Sequence, residues 1–190
     1  MRLLATTLFT ALLLGAPSAG LASLVGTVGG GVALPTLEAG GAQEDGQTGY
    51  EVGLSLGWQL NDWLRWDAFE FHYTGVDHDS AFGVFSTDSL AFGSGLRVGL
   101  FQRDRRLHPY VSAGVAGNRL SHEQGPTDSY RWGLEWSAGG GFEYQLDPFT
   151  AVGVRYRYRS TTVDGLPGIS SGDVRLNMHT VNLEFVFGGE

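Results

Sequence analysis

The sequence predicts an all-β protein, an eight-stranded antiparallel up-and-down transmembrane β-barrel, and three observations support this fold class. Apolar and polar residues alternate along segments longer than the strands of most soluble sheets. The chain opens with the features of a cleavable export signal. The connections between the alternating segments are long and short in turn, as expected for a barrel that crosses a membrane.

Residues 1–22 form a predicted signal peptide. Arg2 precedes a short apolar run, and the small residues around Ala22 suit cleavage before Ser23. The apolar run is too short for a comfortable transmembrane helix. The chain has no cysteine, which excludes a disulfide framework and a lipoprotein anchor. We therefore expect residues 23–190 to form one exported barrel domain.

The first two strands are predicted over residues 24–34 and 47–60. In both segments every second residue is apolar, and glycines or polar residues lie between them. Successive side chains of a strand point to opposite faces, so the apolar set would contact lipid. The predicted lipid-facing residues are Val28, Val32, Leu34, Tyr50, Val52, Leu54, Leu56, Trp58 and Leu60.

The third and fourth strands are predicted over residues 63–73 and 89–101. In the third strand, Leu64 and Trp66 are out of phase with the apolar residues that follow, so we predict a β-bulge near Asp67. The fourth strand keeps a regular alternation throughout. The predicted outward residues are Phe69, Phe71, Tyr73, Leu90, Phe92, Leu96, Val98 and Leu100.

The last four strands complete the predicted barrel. The fifth follows Pro109, and the sixth is Tyr130–Leu146, where apolar, aromatic or small residues occupy every even position and charges only odd positions. A soluble lipocalin-like barrel, with the apolar face inward, is the alternative for this segment. The seventh and eighth strands are predicted over residues 149–159 and 176–187, with outward Val181, Leu183, Phe185 and Phe187.

The connections predict how the barrel is oriented. Those after the second, fourth and sixth strands are short, and the others are long and polar. Small outer-membrane barrels have short periplasmic turns and long external loops. An even number of strands closes the barrel without an open edge. The segments predicted to face outside are 35–47, 74–88, 118–128 and 160–174.

Two segments near the end of the chain resemble a known family. SAGGGFEYQLDPFTAVGVRYRYRS, residues 137–160, and LNMHTVNLEFVFG, residues 176–188, are similar to the last three strands of the OmpA-like transmembrane barrel and its small outer-membrane relatives. They share a glycine pair, a tight turn, an arginine-rich strand and a final strand ending at Phe187. The resemblance implies a location in the Gram-negative cell outer membrane, with lipid and lipopolysaccharide as partners, and specifies no activity.

The predicted registers direct a balanced set of charges into the lumen. Eight strands enclose an interior just wide enough for side chains to fill, and unpaired charges there would be costly. We therefore predict a paired network in a largely closed, polar lumen, and a structural or surface-interaction role. A small ion-conducting pore with exchanging pairs is the alternative, and related barrels are reported as weak pores. The network is predicted to contain Glu51, Glu70, Arg97, Arg131, Glu135, Glu143, Arg155, Arg157 and Glu184, with Arg159 as a further candidate.

An enzyme is the alternative from another class. Barrel deacylases that modify lipid A resemble this chain in size and use a His-x-Ser pair late in the seventh strand. The aligned residues here are Tyr158, Arg159 and Ser160, so the histidine that would activate the serine is absent. His72 faces the lumen near Glu70 without an assigned serine. No histidines have metal-ligand spacing. We therefore predict no catalytic residue, metal or cofactor.

Charge bears on the partners that the chain could bind. The net charge of −8 argues against nucleic acid. The external segments could bind divalent cations shared with lipopolysaccharide, bind a surface ligand, or simply be solvated. The aromatics Phe82 and Phe85 slightly favour contact with a ligand, and we expect a monomer. The acidic residues of these segments are Glu38, Glu44, Asp45, Asp77, Asp79, Asp88, Glu123, Asp128, Asp164 and Asp173.

Overall fold

The computed structural model describes residues 23–80, 83–102, 104–124, 127–166 and 170–188, which form an all-β chain. The predicted signal peptide lies outside the described residues. Among the residues described, no helix is long and apolar enough to span a membrane. The strands are β1 (Ser23–Ala39), β2 (Ala42–Asp45), β3 (Gly49–Gln59), β4 (Leu64–Ser80), β5 (Gly83–Gly99), β6 (Leu107–Gln124), β7 (Thr127–Asp147), β8 (Thr150–Leu166) and β9 (Ser170–Gly188).

The strands close into one antiparallel barrel. From β3 to β9 each strand pairs with the next, and β9 returns to pair with β1 from Gly188 opposite Val25 to Val174 opposite Ala39. The strands β2 and β3 both pair along the other edge of β1, so together they occupy a single position in the barrel. The predicted eight-stranded up-and-down barrel is confirmed.

The outer surface is a continuous apolar face. Large apolar residues predicted to face outward on the first, second, sixth and eighth strands are exposed, from 37% for Trp58 to 72% for Leu134. On β4 and β5 the outward Phe71, Tyr73 and Leu90 are half-buried by neighbouring side chains. A soluble barrel would bury such residues, so this surface requires lipid around it.

A β-bulge in β4 determines which charged residues enter the lumen. The pairing of β4 with β5 shifts between Asp67 and Glu70, which confirms the predicted bulge. The shift allows both Trp66 and Phe69 to face outward. It also turns Arg65 and Asp67 inward, where their exposed fractions are only 3% and 2%.

The connections at one end of the barrel are short turns, and those at the other end are long hairpins of paired strands. At the turn end, residues 60–63, 100–106 and 148–149 make short connections. At the opposite hairpin end, the strands continue almost to the tips, for example to Ser80 opposite Gly83. The prediction of long loops was therefore wrong for most of these segments. Antiparallel hairpins satisfy their own backbone groups, so Ser-, Thr- and Asp-rich segments can remain strands beyond the lipid.

Side-chain hydrogen bonds define two of the short turns. The Asn61 Oδ1 accepts hydrogen bonds from the backbone amides of Trp63 and Leu64, at 3.0 and 2.9 Å. In the exposed turn after β7, the Thr150 hydroxyl and the Phe149 amide donate to the Asp147 carboxylate. These bonds hold the pKa of Asp147 below its ordinary value. The turn end is thereby fixed at the points where the strands reverse.

Candidate functional site: the barrel lumen

The lumen concentrates buried charge. Among the side chains that the structure describes, six carboxylates and five guanidinium groups are buried in the barrel interior. Each of the five guanidinium groups contacts at least one of the carboxylates. The members of this lumen network are Glu51, Asp67, Glu70, Glu135, Glu143, Glu184, Arg65, Arg97, Arg155, Arg157 and Arg159.

Arg97 is the hub of the network nearest the turn end. Its guanidinium donates to Asp67 at 2.7 Å, Glu184 at 2.8 Å and Glu143 at 3.2 Å. Both Nη atoms of Arg65 donate to the carboxylate of the same Glu143, at 2.8 and 3.1 Å. Such two-pronged, charge-assisted contacts are the strongest hydrogen bonds that these side chains form.

Two arginines of β8 extend the network towards the middle of the barrel. Arg155 donates to Glu70 at 3.2 Å and to Glu184 at 3.4 Å, which joins it to the hub. Arg157 lies 2.9 Å from Glu51 and 3.8 Å from Glu70. Alternate side chains of β8 point inward, so the arginines of this strand occupy successive inward positions.

Arg159 completes the network on the side of the hairpin end. Its Nε and Nη2 each lie 2.8 Å from an oxygen of Glu135, and Nη1 donates to Glu51. Asn118 adds a neutral donor to Glu135 at 2.6 Å, and the Thr74 hydroxyl also accepts from Arg159 at 3.0 Å. The network therefore extends without a break from Arg65 to Glu135.

Eight of the nine residues predicted for the network contact one another in it, and Arg131 does not. Arg131 is exposed and donates to the carbonyl of its neighbour Tyr130. The pairing of β7 with β8 runs only as far as Leu134 opposite Thr162. Beyond that point β7 pairs with β6 alone, so Arg131 no longer faces an enclosed lumen.

The structure adds Arg65 and Asp67, which the predicted set lacked, and includes the further candidate Arg159. The signal for the first two was present in the sequence. The bulge that places Trp66 and Phe69 on one face necessarily sends Arg65 and Asp67 to the other.

Buried apolar side chains lie next to both ends of the network. Towards the turn end, Phe101 is 2% exposed and its ring lies 4.5 Å from the Arg65 guanidinium carbon. This contact combines ring burial with a cation–π interaction. Towards the hairpin end, inward side chains from four strands form one buried layer, the apolar layer. Its members are Leu37, Leu120, Val163, Val174, Leu176 and Met178.

Two of the cavities formed by the described residues bear on this interior. One, of about 480 Å³, opens at the turn end and is lined by apolar Val25 and Phe149 together with Arg65, Arg106 and Glu143. The second, of about 20 Å³, lies within the network. The larger cavity reaches Arg65 and Glu143 of the network, and none of the residues that line it belongs to the apolar layer.

Comparison with known proteins identifies the family. The family model of the outer membrane protein beta-barrel domain matches residues 4–187 of the sequence. The chain belongs to this family. The protein is therefore located in the outer membrane, which its strands cross, and lipid contacts its exposed apolar face. A search of curated proteins finds no match.

Solved structures of other outer-membrane barrels share the fold of this family member. Neisserial surface protein A is 20% identical, with a TM-score of 0.59 over 84% of this chain and 95% of that chain. The outer membrane protease OmpT from Escherichia coli is 7% identical, with a TM-score of 0.52 over 92% and 100%. The outer membrane enzyme PagL is 15% identical, with a TM-score of 0.51 over 85% and 98%. Such low identities show the fold alone.

The three histidines whose side chains the structure describes have hydrogen-bond partners other than serine. His72 lies 2.8 Å from Arg157 in the lumen, and His108 contacts backbone carbonyls of the turn after β5. On the outer face, Nδ1 of His179 lies 2.7 Å from the Tyr156 hydroxyl. Where side chains are described, no three His, Cys, Asp or Glu residues form a group that could hold a metal ion. The side chains of His78 and His122 lie outside that part.

Proposed function

We propose that this protein is a closed outer-membrane barrel with a structural or surface-interaction role. The observation that carries the proposal is the filled lumen, in which the charge network lies between Phe101 and the apolar layer. An ion crossing this interior would have to separate buried, hydrogen-bonded pairs and then lose its water within the apolar layer. Both steps are costly in a medium of low polarity.

The lumen network would then stabilise the barrel. Each carboxylate of the network has a guanidinium partner, so the charges compensate one another inside a space too narrow to hydrate them fully. This arrangement favours the structural interpretation over the small pore, since pairs that exchange partners to pass ions would leave a charge unpaired at each step.

The hairpin end is the proposed surface of interaction. We place it outside the cell, with the turn end in the periplasm, because small outer-membrane barrels have their longer extensions outside. Asp45, Asp77, Asp164 and Asp173 are exposed at this end and would face lipopolysaccharide or a surface ligand. The side chains of Glu44, Asp79, Phe82, Phe85, Glu123 and Asp128, also predicted for this surface, lie outside the described side chains.

We also propose that the barrel is not a lipid A hydrolase, although PagL, one of the structures that share its fold, is an enzyme. Ser160 is buried on the outer face beside Trp136, and Tyr158 occupies the position where the deacylase motif has histidine. The neighbouring His179 is hydrogen-bonded to Tyr156. Without a base to take its proton, the Ser160 hydroxyl is a poor nucleophile.

Mass spectrometry of lipid A tests this absence of activity. Overexpression of the protein should leave the acyl pattern of lipid A unchanged, in the same way as overexpression of the Ser160→Ala variant. Loss of an acyl chain with the natural protein, abolished by Ser160→Ala, would show that Ser160 is a nucleophile.

Electrical recording tests the closed lumen itself. The refolded protein should add no steady conductance to a planar lipid bilayer. An ion moving along the barrel would have to pass both the network and the apolar layer. A large, steady conductance would contradict the proposal.

A further inference from the structure

Five buried polar groups without a hydrogen-bond partner surround the small cavity in the network. They are the hydroxyls of Thr27 and Ser55, the Nε atoms of Arg155 and Arg157, and Oδ1 of Asn182. All five residues are more than nine-tenths buried. A buried polar group is costly unless something completes its hydrogen bonds, and here five such groups line the same space of about 20 Å³.

The lumen network itself determines which atoms remain free. Both Nη atoms of Arg155 and of Arg157 contact carboxylates or His72, so Nε is the guanidinium atom of each residue that has no partner. The Nδ2 of Asn182 donates to Glu51 at 2.6 Å, which leaves its Oδ1 as a free acceptor. The cavity therefore presents two N–H donors, one oxygen acceptor and two hydroxyls that can play either part.

This set of groups selects a small neutral molecule. A cation would meet the two guanidinium N–H groups directly. An anion would add negative charge to a lumen in which six carboxylates already face five guanidinium groups. A molecule that both accepts and donates can satisfy the Nε–H groups and the Asn182 oxygen together. A volume of about 20 Å³ is sufficient for one water molecule.

We propose that this cavity holds one sequestered water molecule that is an integral part of the lumen network. It accepts hydrogen bonds from Nε of Arg155 and Arg157 and donates to Oδ1 of Asn182 and to a hydroxyl of Thr27 or Ser55. The water links β1, β3, β8 and β9, the strands around the closure of the barrel. The site does not depend on whether the barrel conducts ions.

High-resolution crystal structures of the mature protein test the site with a matched pair of variants. Ser55→Val places extra methyl groups in the cavity. Ser112→Val makes the same substitution at another buried serine whose hydroxyl lacks a partner, but Ser112 does not line the cavity. If Ser55→Val does not fold, Thr27→Ile fills the same space from β1. A bromide soak of the natural protein distinguishes an anion from water.

A water peak within hydrogen-bond distance of Arg155 Nε and Asn182 Oδ1 is expected in the natural protein and in Ser112→Val. It should be lost in Ser55→Val or Thr27→Ile. An empty cavity in the natural protein, a peak that persists in the filled variants, or anomalous scattering from bromide at the site would overturn the proposal.

Discussion

Four of the five guanidinium groups of the lumen network bridge two or more carboxylates, and this bridging explains how a narrow barrel tolerates so much buried charge. Arg97 alone contacts Asp67, Glu143 and Glu184. The planar fork of arginine presents five N–H donors at fixed angles, which a lysine ammonium could not do. Removal of a carboxylate such as Glu143, which contacts both Arg65 and Arg97, should therefore affect more than one arginine.

Replacing Glu143 with alanine tests the network at the level of a residue. Arg65 would lose its only ionic partner in the network, and Arg97 one of three. An uncompensated buried charge costs about 3–5 kcal/mol, so the free energy of unfolding should fall by about that amount. Urea unfolding in lipid vesicles, followed by tryptophan fluorescence, measures the change.

Arg175→Ala is the matched control for Glu143→Ala. Arg175 lies 3.8 Å from Glu38 at the hairpin end, and its side chain is 56% exposed. Exposed ion pairs contribute about 0–1 kcal/mol, so this variant should unfold almost like the natural protein. Equal losses in the two variants would contradict the energetic importance of the buried network.

At the scale of the strands, the glycines differ in whether a side chain would fit in their place. A Cβ atom added at Gly31 of β1 would lie 1.9 Å from the Val181 carbonyl oxygen and 2.5 Å from Asn182 Oδ1. At Gly117 of β6 the added atom would have no neighbour within 4 Å. The two glycines therefore have different roles, although both lie within strands.

Gly31→Ala and Gly117→Ala should change stability in opposite directions. Overpacking at Gly31 should lower the free energy of unfolding by about 1–3 kcal/mol. Alanine at Gly117 should raise it by about 0.5–1 kcal/mol, because glycine loses more backbone entropy on folding. The same urea titration measures both variants. Tolerance of Gly31→Ala without loss would show that β1 and β9 can separate to admit a methyl group.

The alternation of residues was sufficient to predict the strands and most of the lumen. Where a strand pairs on both sides, as β3, β8 and β9 do, side-chain parity alone assigns inward residues such as Glu51, Arg155 and Glu184. At a bulge the alternation of inward and outward residues shifts by one position. The bulge in β4 keeps Trp66 outward and therefore turns Arg65 and Asp67 inward, and the predicted network lacks these two residues. The fold and most of the network can therefore be predicted from the alternation of residues within each strand.

The errors arose where local pattern does not determine pairing. Arg131 has the parity of a lumen residue, but the register of β7 against β8 ends before it. The apolar layer was not predicted because Val163 and Val174 fall in segments interpreted as loops. How far two strands stay paired depends on the length and stagger of both, which one segment alone does not specify.

For the whole molecule, the difference between the two ends predicts its orientation in the membrane. Protease added to intact cells should cleave only in the hairpin ends, within segments 35–47, 74–88, 118–128 and 160–174, if it cleaves at all. The turn at 102–107 contains arginines and is a good trypsin site, but we place it in the periplasm. Mass spectrometry of released peptides identifies the sites, and permeabilised cells provide the control. Cleavage confined to this turn in intact cells would reverse the orientation.

The most direct test of the central claim, that the lumen is closed, is single-channel recording of the refolded protein in a planar bilayer. A large-pore porin in the same bilayer serves as the positive control. We expect no steady conductance from the natural protein, because the Arg97 hub, the Arg159–Glu135 pair and the apolar layer block the axis in series. A large and steady conductance from correctly folded barrels would contradict the account.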